Sequence, residues 1–72
     1  MSLENRLKDL RAKHNMSQGQ LATRLGVSRQ TINAVETDKY DPSLPLALRL
    51  SKVFQVPVEV IFIDQWIDNF AE

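Results

Sequence analysis

An all-α domain of five short helices around one core is predicted by three observations in this chain. Apolar residues recur at helical spacing in separate windows, Ser17, Ser28 and Ser43 each stand where a helix N-cap is expected, and Gly26 divides two of the windows with room for only a tight turn.

Leu3, Leu7 and Leu10 lie on one helical stripe with Arg6, Lys8, Arg11 and Lys13 between them, so residues 3–13 read as an amphipathic first helix, stopped by His14 and Asn15. Ser17 caps a second helix over 18–25 and Ser28 a third over 29–37. Gly19 lies inside the second and should weaken it by about 1 kcal/mol relative to alanine. Thr37 to Pro42 is a loop by composition. Ser43 begins a fourth helix that runs to Phe54, with Leu44, Ala47, Leu48, Leu50, Ser51 and Phe54 on its inner face. Pro45 is tolerated there because first-turn amides have no intrahelical partner. Pro57 presets the first turn of a fifth helix to about Phe62. Residues 63–72 have two courses open: continued helix, or a short β-strand against the N-terminus.

The window from Gln18 to Thr37 sets a steep angle between two helices. Ala22 allows close approach of their axes, Gly26 supplies a left-handed residue at the turn, and Ser28 caps the helix after it. Leu21, Leu25, Val27, Ile32 and Val35 fall on the inner side of the angle. Ser28, Arg29, Gln30, Thr31 and Asn33 fall on the outer side, at the start of a helix. An αα-corner with an ordinary polar face would also fit. Agreement of the small residue, glycine, cap and apolar spacing favours a helix-turn-helix, whose second helix presents those five side chains to base edges in a DNA major groove.

Composition narrows the classes of function. Seventy-two residues make one domain, near the lower size for a self-supporting core. With no cysteine there is neither a disulfide nor a thiolate metal site, and the single His14 reads as a solvated loop residue. No apolar run approaches the ~20 residues of a membrane span, and the N-terminus has no signal-like apolar stretch, so a cytoplasmic, soluble protein is expected. Without a glycine-rich phosphate loop, paired carboxylates or a nucleophile beside a base, neither enzymatic activity nor a cofactor, metal or small-molecule effector is expected. The net charge of zero conceals an asymmetry. Residues 1–40 carry seven Lys/Arg against four Asp/Glu, and residues 41–72 carry two against five. A basic half suits a polyanionic partner, with moderate affinity that falls with salt.

The stretches LKDLRAKHNMSQ, LATRLGVSRQTINAVE, DKYDPS and LALRLSKVFQVP, taken together from Leu7, give the chain its resemblance to a known group. From there to Phe62 it resembles the Xre family of bacterial and phage regulators, the helix-turn-helix class of the lambda and 434 repressors and Cro, in a short stand-alone form. The resemblance implies a lambda-repressor-like fold and double-stranded DNA as partner. It places Arg29, Gln30 and Asn33 at base-reading positions: Arg29 suits guanine, while Gln30 or Asn33 can pair with adenine, and the Thr31 hydroxyl can reach a base or a phosphate. Gln18 matches a phosphate-holding glutamine, which a helix N-terminus favours independently; the alternative is a solvated first-turn side chain. Lys39, Tyr40 and Ser43 match a loop that contacts the sugar-phosphate backbone, with packing at the loop base as the alternative for Tyr40. Arg24 is a further phosphate candidate or a solvated residue. Arg11 and Glu36 match a buried ion pair of structural role. Two departures stand out. Asp38 replaces a usual glycine at a left-handed position and brings negative charge near the phosphates, and Gly19 replaces a helix-favouring residue.

One recognition helix reads only a few base pairs, so useful specificity requires two copies on half-sites about 34 Å apart. Val58, Val60, Ile61, Phe62, Ile63, Trp66, Ile67 and Phe70 exceed what one face of a short helix can bury. Leu46 and Val60 fall where related sequences carry polar residues, which predicts that they face outward. Leu46, Val58, Val60, Ile61, Ile63, Trp66 and Ile67 are therefore the expected homodimer surface, unless the tail folds back over its own core. Two functions are consistent with this surface. One is a dimeric transcriptional regulator on a palindromic operator; the other is an antitoxin or accessory DNA-binding subunit whose apolar C-terminal surface binds another protein.

Overall fold

The computed structural model describes residues 3–70, in the order β1 (Glu4–Asn5), α1 (Leu7–Lys13), α2 (Gln18–Leu25), α3 (Arg29–Glu36), α4 (Leu44–Phe54), α5 (Val58–Ile61) and β2 (Phe62–Ile63). Five helices surround one core, and the two short strands close it at one edge. The last two residues of the tail, 71–72, lie outside the described residues.

The three serine caps form as the sequence predicts. Ser17 Oγ accepts from the Gln20 amide while the Gln20 side chain accepts from the Ser17 amide, a reciprocal capping box. Ser28 and Ser43 accept from the Thr31 and Leu46 amides. Gly26 ends α2 in the left-handed region, φ 73° and ψ 31°, and the Val27 amide returns to the Ala22 carbonyl. Leu21, Ala22, Leu25, Ile32 and Val35 are buried where α2 meets α3, so the angle between these helices is held by the predicted apolar set, with Val27 half-buried beside it.

The first helix begins at Leu7 rather than Leu3. Glu4 and Asn5 instead pair antiparallel with Ile63 and Phe62, and the Arg6 amide donates to the Ile61 carbonyl at 2.8 Å. Of the tail only Ile63 takes the strand course, because the end of α5 offers carbonyls and amides that the N-terminal segment can satisfy, and residues 64–70 form neither helix nor strand. Asn5 secures this edge: its Oδ1 accepts from the Leu7 amide, and its Nδ2 donates to the Val35 carbonyl and to Asp38 Oδ1. His14, exposed at the end of α1, rests its ring against Phe54 with centroids 5.2 Å apart.

Helix α4 turns Ala47, Leu50 and Phe54 inward as predicted, but the buried arc is rotated toward Leu46 and away from Leu44 and Leu48. Leu46, Ala47, Leu50 and Phe54 are buried, whereas Leu44 and Leu48 are exposed. The expectation that Leu46 faces outward is therefore incorrect: it is only 6 % exposed and packs into the core. Ile61 is likewise a core residue, fully buried, and offers no surface to a partner. Both corrections have one origin. The arc that a short helix buries depends on how it leans on its neighbours, and helices as rich in apolar residues as α4 and α5 permit more than one choice.

Candidate nucleic-acid interface

The polar start of α3 is held out from the body by its own buried face. Ile32 and Val35 anchor the helix, and Ser28, Arg29, Gln30 and Asn33 are exposed on its other side, with Thr31 half-buried. An open pocket of about 380 Å3 is lined by Gln18, Arg29, Gln30 and Asn33, which joins the first residue of α2 to three residues of α3. These side chains supply a guanidinium and three carboxamides, groups suited to base edges and phosphate oxygens. The Ser28 and Thr31 hydroxyls lie 2.9 Å apart and share one hydrogen bond, while Ser28 Oγ also caps the helix. Between them they keep one hydroxyl hydrogen to offer outward.

Gln18 sits at the junction of α2 and α3. Its Nε2 donates to Asn33 Oδ1 at 3.2 Å and to Glu36 Oε1 at 3.0 Å. Behind it lies the Arg11–Glu36 pair. Arg11 Nε donates to Glu36 Oε2, Nη2 to Oε1 at 2.9 Å, and Nη1 to the Met16 carbonyl at 2.9 Å. Burial by itself would push the Glu36 carboxyl up, but hydrogen bonds from Arg11 and Gln18, with the charge of Arg11, hold it below the usual carboxylate range. The hydrogen bond to Glu36 raises the Arg11 guanidinium further above its ordinary value. This pair ties α1 to the end of α3.

Arg24, Lys39 and Tyr40 are exposed, and Ser43 is exposed at the start of α4. The Ser43 hydroxyl, occupied as an acceptor by the Leu46 amide, retains its hydrogen as a donor. Asp38 takes φ 60°, the left-handed position expected of it, and its Oδ1 accepts from Asn5 Nδ2 at 2.8 Å. Its charge is thus partly committed to the fold. Asn5, Gln20 and Gln55 are the structural residues that sequence reading overlooks; Gln55 ends α4 at φ 55° without a glycine. The capping box was visible as Ser17 followed three residues later by Gln20.

On the C-terminal side, Val58 and Ile63 are half-buried and Val60 is exposed. Trp66, Ile67 and Phe70 stand 70 %, 74 % and 93 % exposed, so the tail does not cover its own core. Among the described residues no helix is long and apolar enough to cross a membrane, and no group of His, Cys, Asp or Glu is placed to hold a metal ion.

A small domain whose capped second helix lifts an exposed polar face away from its partner defines the helix-turn-helix class of DNA-binding proteins. The profile of the Helix-turn-helix family matches residues 7–61, and the chain belongs to that family, whose Xre-like members include short stand-alone forms. An HTH-type transcriptional regulator of Methanocaldococcus jannaschii is 57 % identical over 61 residues, covering 85 % of this chain and 92 % of the relative. Another from Bacillus subtilis is 41 % identical over 67 residues, covering 93 % and 97 %. In structure, the chain is similar to the SOS-response transcriptional repressor LexA of Eubacterium rectale, with TM-score 0.74, 25 % identity and coverage of 92 % of this chain and 72 % of the other. The chain is thus a DNA-binding domain of the transcriptional-regulator kind.

Proposed function

We propose that this chain acts as a homodimeric, sequence-specific transcriptional regulator, placing α3 in the major groove of each half of a palindromic operator. The observation that carries this reading is the open pocket at the α2–α3 junction, where Arg29, Gln30 and Asn33 stand exposed on a helix whose other face is locked into the core. Arg29 reads guanine, and Gln30 and Thr31 complete the base contacts with Ser28 at the groove edge. The backbone amide of Gln18, at the start of α2, and the side chains of Arg24, Lys39, Tyr40 and Ser43 contact phosphates and set the register of the domain.

Val60 and the exposed Trp66 and Ile67, with Val58 and Ile63 beside them, supply the dimer surface; Leu46 and Ile61 are withdrawn from it by their burial. An isologous contact of this kind relates the two copies of α3 by the same two-fold axis that a palindromic operator has. The same exposed tail favours a second reading, an antitoxin or accessory subunit that covers Trp66, Ile67 and Phe70 with another protein.

Selection of bound sequences from a random DNA pool tests the first reading. A palindrome with half-sites near one helical turn apart is expected, and Arg29→Ala should relax base preference at one position in each half. An Arg29→Ala protein with unchanged preference would remove Arg29 from the reading surface. Sedimentation of Val60→Lys should show a shift from dimer toward monomer; an unchanged dimer rules that surface out. A wild-type monomer that joins a dissimilar protein at fixed stoichiometry supports the second reading instead.

A further inference from the structure

The side chain of Gln18 fixes which way Asn33 faces, and with it the kind of base edge that Asn33 can accept. Glu36 receives two hydrogen bonds from Arg11 and is held ionised, so both its oxygens act only as acceptors. Gln18 must therefore turn its amide nitrogen, and not its carbonyl oxygen, toward Glu36 Oε1, 3.0 Å away. The second hydrogen on that nitrogen points to Asn33 at 3.2 Å, and only the Asn33 oxygen can receive it. This orders the Asn33 carboxamide: Oδ1 faces back into the protein, and Nδ2 with its two hydrogens faces the pocket shared with Arg29 and Gln30. The orientation of an exposed side chain is thereby set by an ion pair on the far side of Gln18.

We infer that Asn33 reads DNA as a donor and selects guanine over adenine at the base pair it reaches. Guanine offers two acceptors, N7 and O6, in the major groove, whereas adenine offers N7 beside the N6 amino donor. The paired contact that lets an asparagine recognise adenine needs Oδ1 turned outward, and Gln18 holds that atom inward. Gln18 is accordingly a positioning residue for specificity; with both of its side-chain hydrogens committed, only its backbone amide is left to donate to a phosphate. The inference rests on α3 being the recognition helix and changes the base assigned to Asn33.

The test uses the full chain and a random DNA pool. Asn33→Ala first locates the position that depends on Asn33, by loss of preference there. Wild-type protein is expected to favour guanine over adenine at that position by about tenfold, within the range of one good base contact. Gln18→Ala and Gln18→Met, the second keeping side-chain length without amide atoms, should each bring the ratio close to one by freeing Asn33 to turn over. The ratio is insensitive to a lost phosphate contact, which weakens all sequences alike. Adenine preferred by the wild type, no position dependent on Asn33, or a ratio unchanged in both folded Gln18 variants would overturn the inference. If Arg29→Ala also alters no position, the recognition-helix reading falls with it; if Arg29→Ala relaxes its own position, only the assignment of Asn33 fails.

Discussion

At the scale of single residues, Arg11 and Glu36 form the one salt bridge among the described residues. Their side chains are nearly withdrawn from water, 14 % and 5 % exposed, and each satisfies the other. Deleting one partner leaves a charge with no compensation, so Arg11→Ala should cost roughly 3–5 kcal/mol in denaturant unfolding. Arg11→Met, which retains packing volume, should cost less than Arg11→Ala. The pH dependence has a definite sign. Glu36 has a lowered value in the folded state, so its contribution is complete above the ordinary carboxylate value of about 4.3 and is lost as pH falls through the folded value. Arg11, with a raised value, loses its contribution only in strong alkali. Unfolding monitored between pH 6 and pH 2 should show an acid loss of stability that is reduced in Glu36→Gln. A family resemblance made this pair legible in the sequence. Its hydrogen bond to Gln18 was not, because an exposed-looking glutamine carries no sign of what it will meet across fifteen or more residues.

At the scale of elements, two glycines test the reading of α2 with opposite results from one substitution. A Cβ on Gly19 would meet Ser17 Oγ at 3.9 Å, an ordinary contact, and the residue is helical. Gly19→Ala should therefore stabilise the domain by about 0.5–1 kcal/mol. Thermal unfolding should show it as a rise of several degrees. Gly26 has open space around its Cβ direction but takes φ +73°, so Gly26→Ala should destabilise by roughly 1–2 kcal/mol through the backbone alone. A stabilised Gly26→Ala protein would contradict the left-handed assignment at the turn. Caps, turn and the α2–α3 angle were legible because each depends on neighbours within a few residues. The face of α4 was legible only in part: Ala47, Leu50 and Phe54 lie inward as the stripe requires, but Leu44 and Leu48 fitted that stripe as well as Leu46 did, and contact with the other helices chose Leu46.

At the scale of the whole molecule, a chain of zero net charge distributes its charges unevenly along its length, an asymmetry that suits a polyanionic partner. Seven of its nine Lys and Arg lie in residues 1–40, among them Arg24, Arg29 and Lys39. DNA affinity should fall with added salt, and Lys39→Ala should weaken binding about equally across sequences while making the log–log salt slope shallower by about 1. A slope unchanged in titrations at several salt concentrations would remove Lys39 from the phosphate contacts. The amino-acid sequence by itself determined the helix count, the caps, the turn at Gly26 and the polar face of α3, since periodicity and capping are local properties of the chain. Tertiary structure alone decided that residues 62–63 pair with residues 4–5, that Leu46 and Ile61 belong to the core, and that Gln18 joins Asn33 to the half-buried ion pair. Each of these is a choice among locally equivalent options, settled by which distant groups could satisfy one another once the core had closed.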